Sequence, residues 1–201
     1  MVCVGEECVS VVDLKGVARL VGVDFTERVM LSPEKLHGKY LMVLDAACRY
    51  LRQAPTEHLN LNQADRPTRT FRSLGIHAIQ MAAAFLDSQE TGRIDRGGRK
   101  LPENAAESWT GEDIATYGEE IRKELKEWWP RAGARIDMDR IIENDWGVHT
   151  AHQSMERQTW HSAQHVRQLM MFLEQLGIEP DGRLSAEDLA GLPLPDNIWD
   201  T

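Results

Sequence analysis

Two histidines, His161 and His165, stand four residues apart in the run Trp160-His161-Ser162-Ala163-Gln164-His165-Val166-Arg167-Gln168-Leu169-Met170. Side chains four apart on a helix lie on one face, one turn above the other. Two imidazoles so placed can reach a single metal ion. The apolar residues Val166, Leu169, Met170, Leu173 and Leu176 continue at helical spacing, with Phe172 alongside. His165 falls inside that apolar arc and His161 on its edge, so both rings are expected to face the interior or its rim. A third inward-facing histidine, His77, lies far upstream beside Leu74 and Ala78, one turn before Met81. A lone histidine on an apolar face is usually a satisfied core residue. The pair on another helix is what singles His77 out, and the expectation is that all three converge on one ion.

Three neutral imidazoles suit a borderline divalent metal: zinc first, with nickel or iron(II) as substitutes. Three protein ligands leave a position for water or substrate, whereas structural zinc sites are usually closed by four. His149 and His152 precede His161 by ~18 and ~13.5 Å along a straight helix, too far to share the ion. His37 reads as a packing or surface residue, and His58 falls in a loop. There is no H-E-x-x-H, so a zincin-type protease is not supported. There is no Glu-x-x-His pair of the di-iron kind, no G-x-S-x-G, no glycine-rich phosphate loop and no paired catalytic carboxylates. No general base can be named, so catalytic residues stay unassigned. Arg157, one turn before His161, could meet a substrate carboxylate. With Trp160 and Gln164 it makes up the substrate-side candidates, each of them otherwise a surface polar or packing residue.

Four amphipathic helices must position these groups. The first opens at Ser32-Pro33, a cap followed by a first-turn proline, carries Leu36, Tyr40, Leu41, Leu44, Ala47, Cys48 and Leu51, and ends before Pro55. The second is expected from near Pro67-Thr68 to about Ser88, with Leu74, Ala78, Met81 and Phe85 inward. The third opens at Thr110-Gly111-Glu112-Asp113, carries Ile114, Tyr117, Ile121, Leu125 and Trp128, and is stopped by Pro130. The fourth runs from Val148 or Thr150 to Leu176, with Gly177 as its stop. Residues 55–66 read as polar loop. Residues 87–109 read as a long charged loop, solvated or a functional lid. Ala132 to Trp146 reads as irregular. Pro193 and Pro195 preclude a helix near the end, where Leu192, Leu194, Ile198 and Trp199 are expected to pack back. Val9 to Val12 suggests a short strand and Leu14 to Val21 a short helix. The fold class expected is all-α: a four-helix bundle over residues 31–201 with an irregular C-terminal tail. Residues 1–30 form an extension too small to fold alone.

The formal net charge of −9 argues against nucleic acid or an anionic membrane as partner. No apolar stretch approaches the ~20 residues that span a bilayer, and Met1 to Cys8 lacks the basic start of a secretion signal. Three cysteines, an odd number, suggest free thiols in a reducing compartment and a cytoplasmic protein. Cys48 sits in an apolar stripe as a small core residue.

The order of elements, His77 in the second helix and the run from Trp160 to Leu169 resemble the DinB-like (DinB/YfiT) superfamily over about residues 30–178. The resemblance implies a four-helix bundle with a three-residue metal site, one histidine on the second helix and an H-x-x-x-H pair on the fourth. The family motif commonly reads H-x-x-x-H-R-G-Q. Here Val166-Arg167-Gln168 follows His165, which displaces the arginine by one and leaves the ligands in place. The closing Leu192-Pro193-Leu194-Pro195-Asp196-Asn197-Ile198-Trp199 is similar to the tail of one subgroup. Val11 to Val23 is similar to the last strand and helix of a glutaredoxin-like domain. Characterised relatives include thiol-dependent transferases and isomerases that use low-molecular-weight thiols such as mycothiol or bacillithiol, and relatives are often dimers. The resemblance therefore implies a divalent metal cofactor, a small-molecule substrate, a thiol cosubstrate and room for a homodimer. The alternative is a non-catalytic metal-binding or stress-related helical bundle.

Overall fold

The computed structural model describes all residues except 10–13, 25–27, 63–65, 96–97, 145–146 and 200–201. The chain divides into two compact units, Met1–Met30 and Leu31–Thr201.

In the small unit, β1 (Val2–Val4) pairs antiparallel with β2 (Glu7–Val9), and α1 (Leu14–Val21) follows. The expected strand at Val9 to Val12 therefore begins earlier in the chain, and its residues 10–12 lie outside those described. Gly5, at φ +63°, supplies the left-handed residue of the tight turn. The resulting register sets Cys3 opposite Cys8, and the two form a disulfide. The free-thiol expectation is thus corrected for this pair. Only Cys48 is a free thiol, and it is buried.

The large unit is mainly helical. Its long helices are α2 (Pro33–Gln53), α3 (Phe71–Thr91), α5 (Gly111–Arg131) and α6 (Ala151–Gln175), with the one-turn α4 (Ala105–Ser108) between α3 and α5. Each of the four long helices has a side-chain cap at its N-terminus. Ser32 accepts from Lys35 N, Thr70 accepts from Ser73 N, and Thr110–Asp113 and Thr150–Gln153 are full capping boxes. The second long helix starts at Phe71 rather than near Pro67, because Thr70 is the cap and Phe71 is fully buried. It runs on to Thr91, where Gly92 at φ +72° closes it in the left-handed conformation.

The directions of the helices follow from which residues meet. Leu51 meets Gly75, and Tyr40 lies 6.5 Å from Phe85, ring to ring, so α2 and α3 run antiparallel. Leu51 meets Gly111, Cys48 meets Gly118 and His37 meets Leu125, so α2 and α5 are antiparallel as well. Ile79 meets Gly118 and Phe85 meets Trp128, so α3 and α5 run the same way. Phe71 meets Phe172 and His77 meets His161, so α6 opposes α3. Leu36, Tyr40, Leu44, Leu51, Leu74, Ile79, Phe85, Ile114, Leu125, Val166, Leu169 and Phe172 fill the shared core.

Two expectations outside the long helices are corrected. The segment after α5 holds a hairpin, β3 (Ile141–Asn144) paired with β4 (Gly147–Thr150), which leads straight into α6. Ile142 anchors it by packing with Ala84, Ile94 and Ala151. Its outer edge is taken by the chain leaving α3, through Ile94 N–H to Glu143 O at 2.8 Å and Glu143 N–H to Gly92 O at 2.9 Å. Near the C-terminus, α7 (Ala186–Leu189) forms a single turn under a Ser185–Asp188 capping box, ahead of the prolines. Among the described residues no helix is long and apolar enough to cross a membrane.

Candidate metal centre

His77 projects from α3, and His161 and His165 from α6. Their ring centroids lie 5.2 Å (His77–His161), 4.9 Å (His77–His165) and 4.8 Å (His161–His165) apart. One ligating nitrogen from each ring lies within 4.8 Å of the others, and among the described residues no Asp, Glu or Cys joins the group. A tetrahedral ion bound at ~2.0–2.1 Å needs nitrogens about 3.3 Å apart, a gap that small ring rotations close. The three rings could therefore hold a metal ion.

The register that brings them together is set beside them. Ser162, between the two α6 histidines, is fully buried and donates to the Ala78 carbonyl, next to His77, at 2.8 Å. The Tyr40 hydroxyl lies 3.4 Å from the same Ser162 oxygen and ties in α2. Trp160 is tilted against the His161 ring at 5.5 Å, a packing contact that limits ring rotation.

Electrostatics keep all three rings in their neutral, ligating form. Burial pulls His161 down to about 3, helped by His165, His77, Arg157 and Arg69. Burial pulls His165 down to about 4, partly offset by its bond to Gln168, with His77 and Arg69 adding to the fall. His77 is lowered by burial, then by Arg69 and Arg157. Among the described residues the charged side chains that depress these histidines are the cations Arg69 and Arg157.

The donor set passes a direct test of fit. His161 Nδ1 and His165 Nε2 are buried nitrogens with no hydrogen-bond partner among the described residues. Such atoms are costly to leave bare and are what a metal ion would satisfy. His165 Nδ1 meets Gln168 Oε1 at 2.7 Å, while Gln168 Nε2 donates to the Ile198 carbonyl at 2.9 Å. A carbonyl can only accept, so the amide nitrogen must face Ile198 and its oxygen must face the ring. Nδ1 therefore carries the proton, and the lone pair of Nε2 is free to ligate.

Sequence reasoning sets Gln168 beside the histidine pair but does not give it as the partner of His165, although its place three residues on is a readable signal. It misses Gln158 and Ser154. These continue the buried face of α6 in steps of three and four (154, 158, 161, 165, 168), with both amide atoms of Gln158 and the hydroxyl of Ser154 lacking partners among the described residues. Among the substrate-side candidates, Arg157 acts electrostatically on His77 and His161. Gln164 is engaged by the C-terminal tail: it is buried, its amide nitrogen reaches the Asn197 and Ile198 carbonyls, and its oxygen accepts from Arg167. His37 packs on Trp129 with Nε2 at 3.0 Å from Leu125 O. His152 Nε2 lies 2.7 Å from Leu31 O, His149 lies in β4, and His58 is exposed.

A pocket of about 370 Å³ opens beside His77. Ser73, Ile76, His77 and Gln80 of α3 form one wall, and Arg99, Lys100, Leu101 and Ala106 the other. That second wall is the connection ahead of α4 together with Ala106 of α4, and the connection is pinned. Gln80 bonds the backbone of Arg99 in both directions, and the Arg99 guanidinium is held by Asp87 and Glu124.

No protein-family model matches the chain, and no curated protein matches it.

Proposed function

We propose that the chain is a divalent-metal-binding protein of the DinB-like type. In this reading its four long helices form a four-helix bundle, and it works as a metal-dependent enzyme of the thiol-dependent transferase or isomerase kind. The observation that carries it is the convergence of His77, His161 and His165, with bare, buried nitrogens on the last two. Three imidazole ligands suit zinc, then nickel or iron(II), and leave a coordination position open. When bound, such an ion supplies Lewis acidity that lowers the pKa of a thiol and favours the thiolate at neutral pH.

The chain's own residues set what could approach. Burial keeps the imidazoles unprotonated, so protons do not compete for the ligating nitrogens near neutral pH. Arg69 and Arg157 add positive potential, which favours an anionic ligand such as a thiolate or carboxylate. The pocket beside His77 is sized for a small molecule, and exposed Lys100 stands at its rim. A small-molecule substrate with a low-molecular-weight thiol fits that arrangement. The net charge of −9 speaks against nucleic acid. The acidic chain and its lack of spanning helices among the described residues support a cytoplasmic setting. The Cys3–Cys8 disulfide is the feature that pulls the other way.

One observation favours the second reading, a non-catalytic metal-binding bundle. Among the described residues no carboxylate or thiolate joins the three histidines, so the group is built of imidazoles alone. Elemental mass spectrometry on the untagged protein and on a His77→Ala/His161→Ala/His165→Ala variant tests both. About one divalent ion per chain is expected in the wild type and none in the folded variant. A screen of thiol-dependent reactions on the loaded protein then separates enzyme from metal binder. A wild type that takes up no metal even after reconstitution ends both readings.

A further inference from the structure

The residues around His165 do more than pack α6. Three of them, Gln164, Arg167 and Gln168, hold the last stretch of the chain on the outside of the site. Gln164 Nε2 donates to Asn197 O at 3.3 Å and to Ile198 O at 2.5 Å. Arg167 donates to Pro195 O at 2.7 Å and to Asp196 O at 3.2 Å, and also to Gln164 Oε1 at 2.9 Å. Gln168 donates to Ile198 O at 2.9 Å. The contacts on the tail are all backbone carbonyls of consecutive residues, 195 to 198, and the donors are all side chains of one helical turn. Trp199 continues the seam by packing its ring edge-on against Phe172 at 5.9 Å.

Only Gln168 belongs to both this clamp and the histidine cluster. Its amide cannot turn over, because its nitrogen is needed at a carbonyl and its oxygen at the His165 N–H. The Ile198 carbonyl therefore fixes the amide, the amide fixes the tautomer and rotation of His165, and the tautomer decides that Nε2 is the nitrogen offered inward. Without the tail the amide is free to rotate, and the ring is free to present either nitrogen.

We propose that Gln168 is a positioning residue that couples docking of the 195–199 tail to metal affinity at His165. The proposal rests on the three-histidine reading of the site. Outer partners of histidine ligands commonly change metal affinity 10- to 100-fold. Coupling between two binding events is reciprocal, so zinc must also hold the tail down by the same factor by which the tail raises zinc affinity.

The test uses the full chain, zinc as the probe, a competing chromophoric chelator for affinity and amide hydrogen exchange for the tail. Gln168→Leu, which removes both bonds, is expected to weaken zinc binding about 10- to 100-fold. Gln168→Glu keeps an acceptor for His165 Nδ1–H but sets an oxygen against the Ile198 carbonyl. It is expected to hold zinc within about threefold of wild type while exchange over 195–199 quickens. A residue that merely packs would not split the two readouts in that way. In the wild type, zinc is expected to slow exchange over 195–199, and in Gln168→Leu it is not. A folded Gln168→Leu protein that binds zinc within about twofold of wild type overturns the coupling and leaves the metal site standing. A wild type that binds no zinc overturns the site itself. If Gln168→Leu fails to fold by circular dichroism, the wild-type tail decides alone, and exchange there that ignores zinc overturns the proposal.

Discussion

The seam between α2 and α5 and the seam between α3 and α6 are built on opposite terms. In the first, glycines let the backbones close up. A Cβ on Gly111 would stand 2.0 Å from the Leu51 carbonyl oxygen, and one on Gly118 would stand 2.7 Å from Cys48 Sγ. Leu51, Cys48, Ile114 and Leu125 fill the rest. In the second, the buried face of α6 carries Ser154, Gln158, Ser162, His165 and Gln168, several of them incompletely bonded. Close apolar packing supplies stability, while desolvated polar groups without partners draw it down. The α3–α6 seam thus carries these polar groups beside its apolar core, and its three histidines converge where they can share a ligand.

Acid gives the largest test of that contrast. The native pKa values of His161 and His165 are pulled to about 3 and about 4 from the 6.5 of the unfolded chain. Between those values the unfolded chain binds protons that the native chain does not. Stability of the metal-free protein is therefore full above pH 6.5 and falls as pH drops toward 4, by roughly 1 kcal/mol per pH unit for each histidine. Urea denaturation across this range is expected to show a steeper acid loss in the wild type than in the triple alanine variant. Equal slopes would place the histidines in water-like surroundings and dissolve the distinction between the seams.

Gly111→Ala strikes the other side. The added methyl group meets backbone that cannot rotate away, and a loss of about 3 kcal/mol is expected, with zinc affinity of the folded protein unchanged. A stability equal to wild type would show that the α2–α5 seam is looser than its glycines indicate. The smallest effect sharpens the contrast by reversing its sign. Gln158→Leu removes an amide that lacks partners among the described residues and is expected to raise metal-free stability by about 1 kcal/mol. A loss instead would mean that the amide is fully bonded through water.

Much of this was legible in the sequence, for physical reasons. The 3.6-residue period located all four long helices, because each buries one face. The pairing of His77 with His161 and His165 followed from the same period, and the rings do converge. The errors fall where the deciding contact is remote in sequence or a matter of register. β3 and β4 are four residues each, too short to carry a pattern, and they are held by Gly92 and Ile94 some fifty residues away. The C-x4-C spacing of Cys3 and Cys8 says nothing until a tight turn sets them opposite each other. Gln164 looked free to meet a substrate because nothing in its neighbourhood shows that carbonyls of residues 197 and 198 return to claim it.

The shared direction of α3 and α5 has an engineering consequence. Two helices that point the same way cannot be joined by a tight turn, so the chain must travel back along about 30 Å of helix before α5 begins. That return path is where Arg99, Lys100 and Leu101 come to face His77. Its middle is set by surface clamps rather than by the shared core. Rewriting the short stretch from Arg99 to Leu101 would redraw the pocket wall while leaving buried Ile94 and Ala105 on either side alone, so it is the natural place for a lineage, or a designer, to change what the pocket admits.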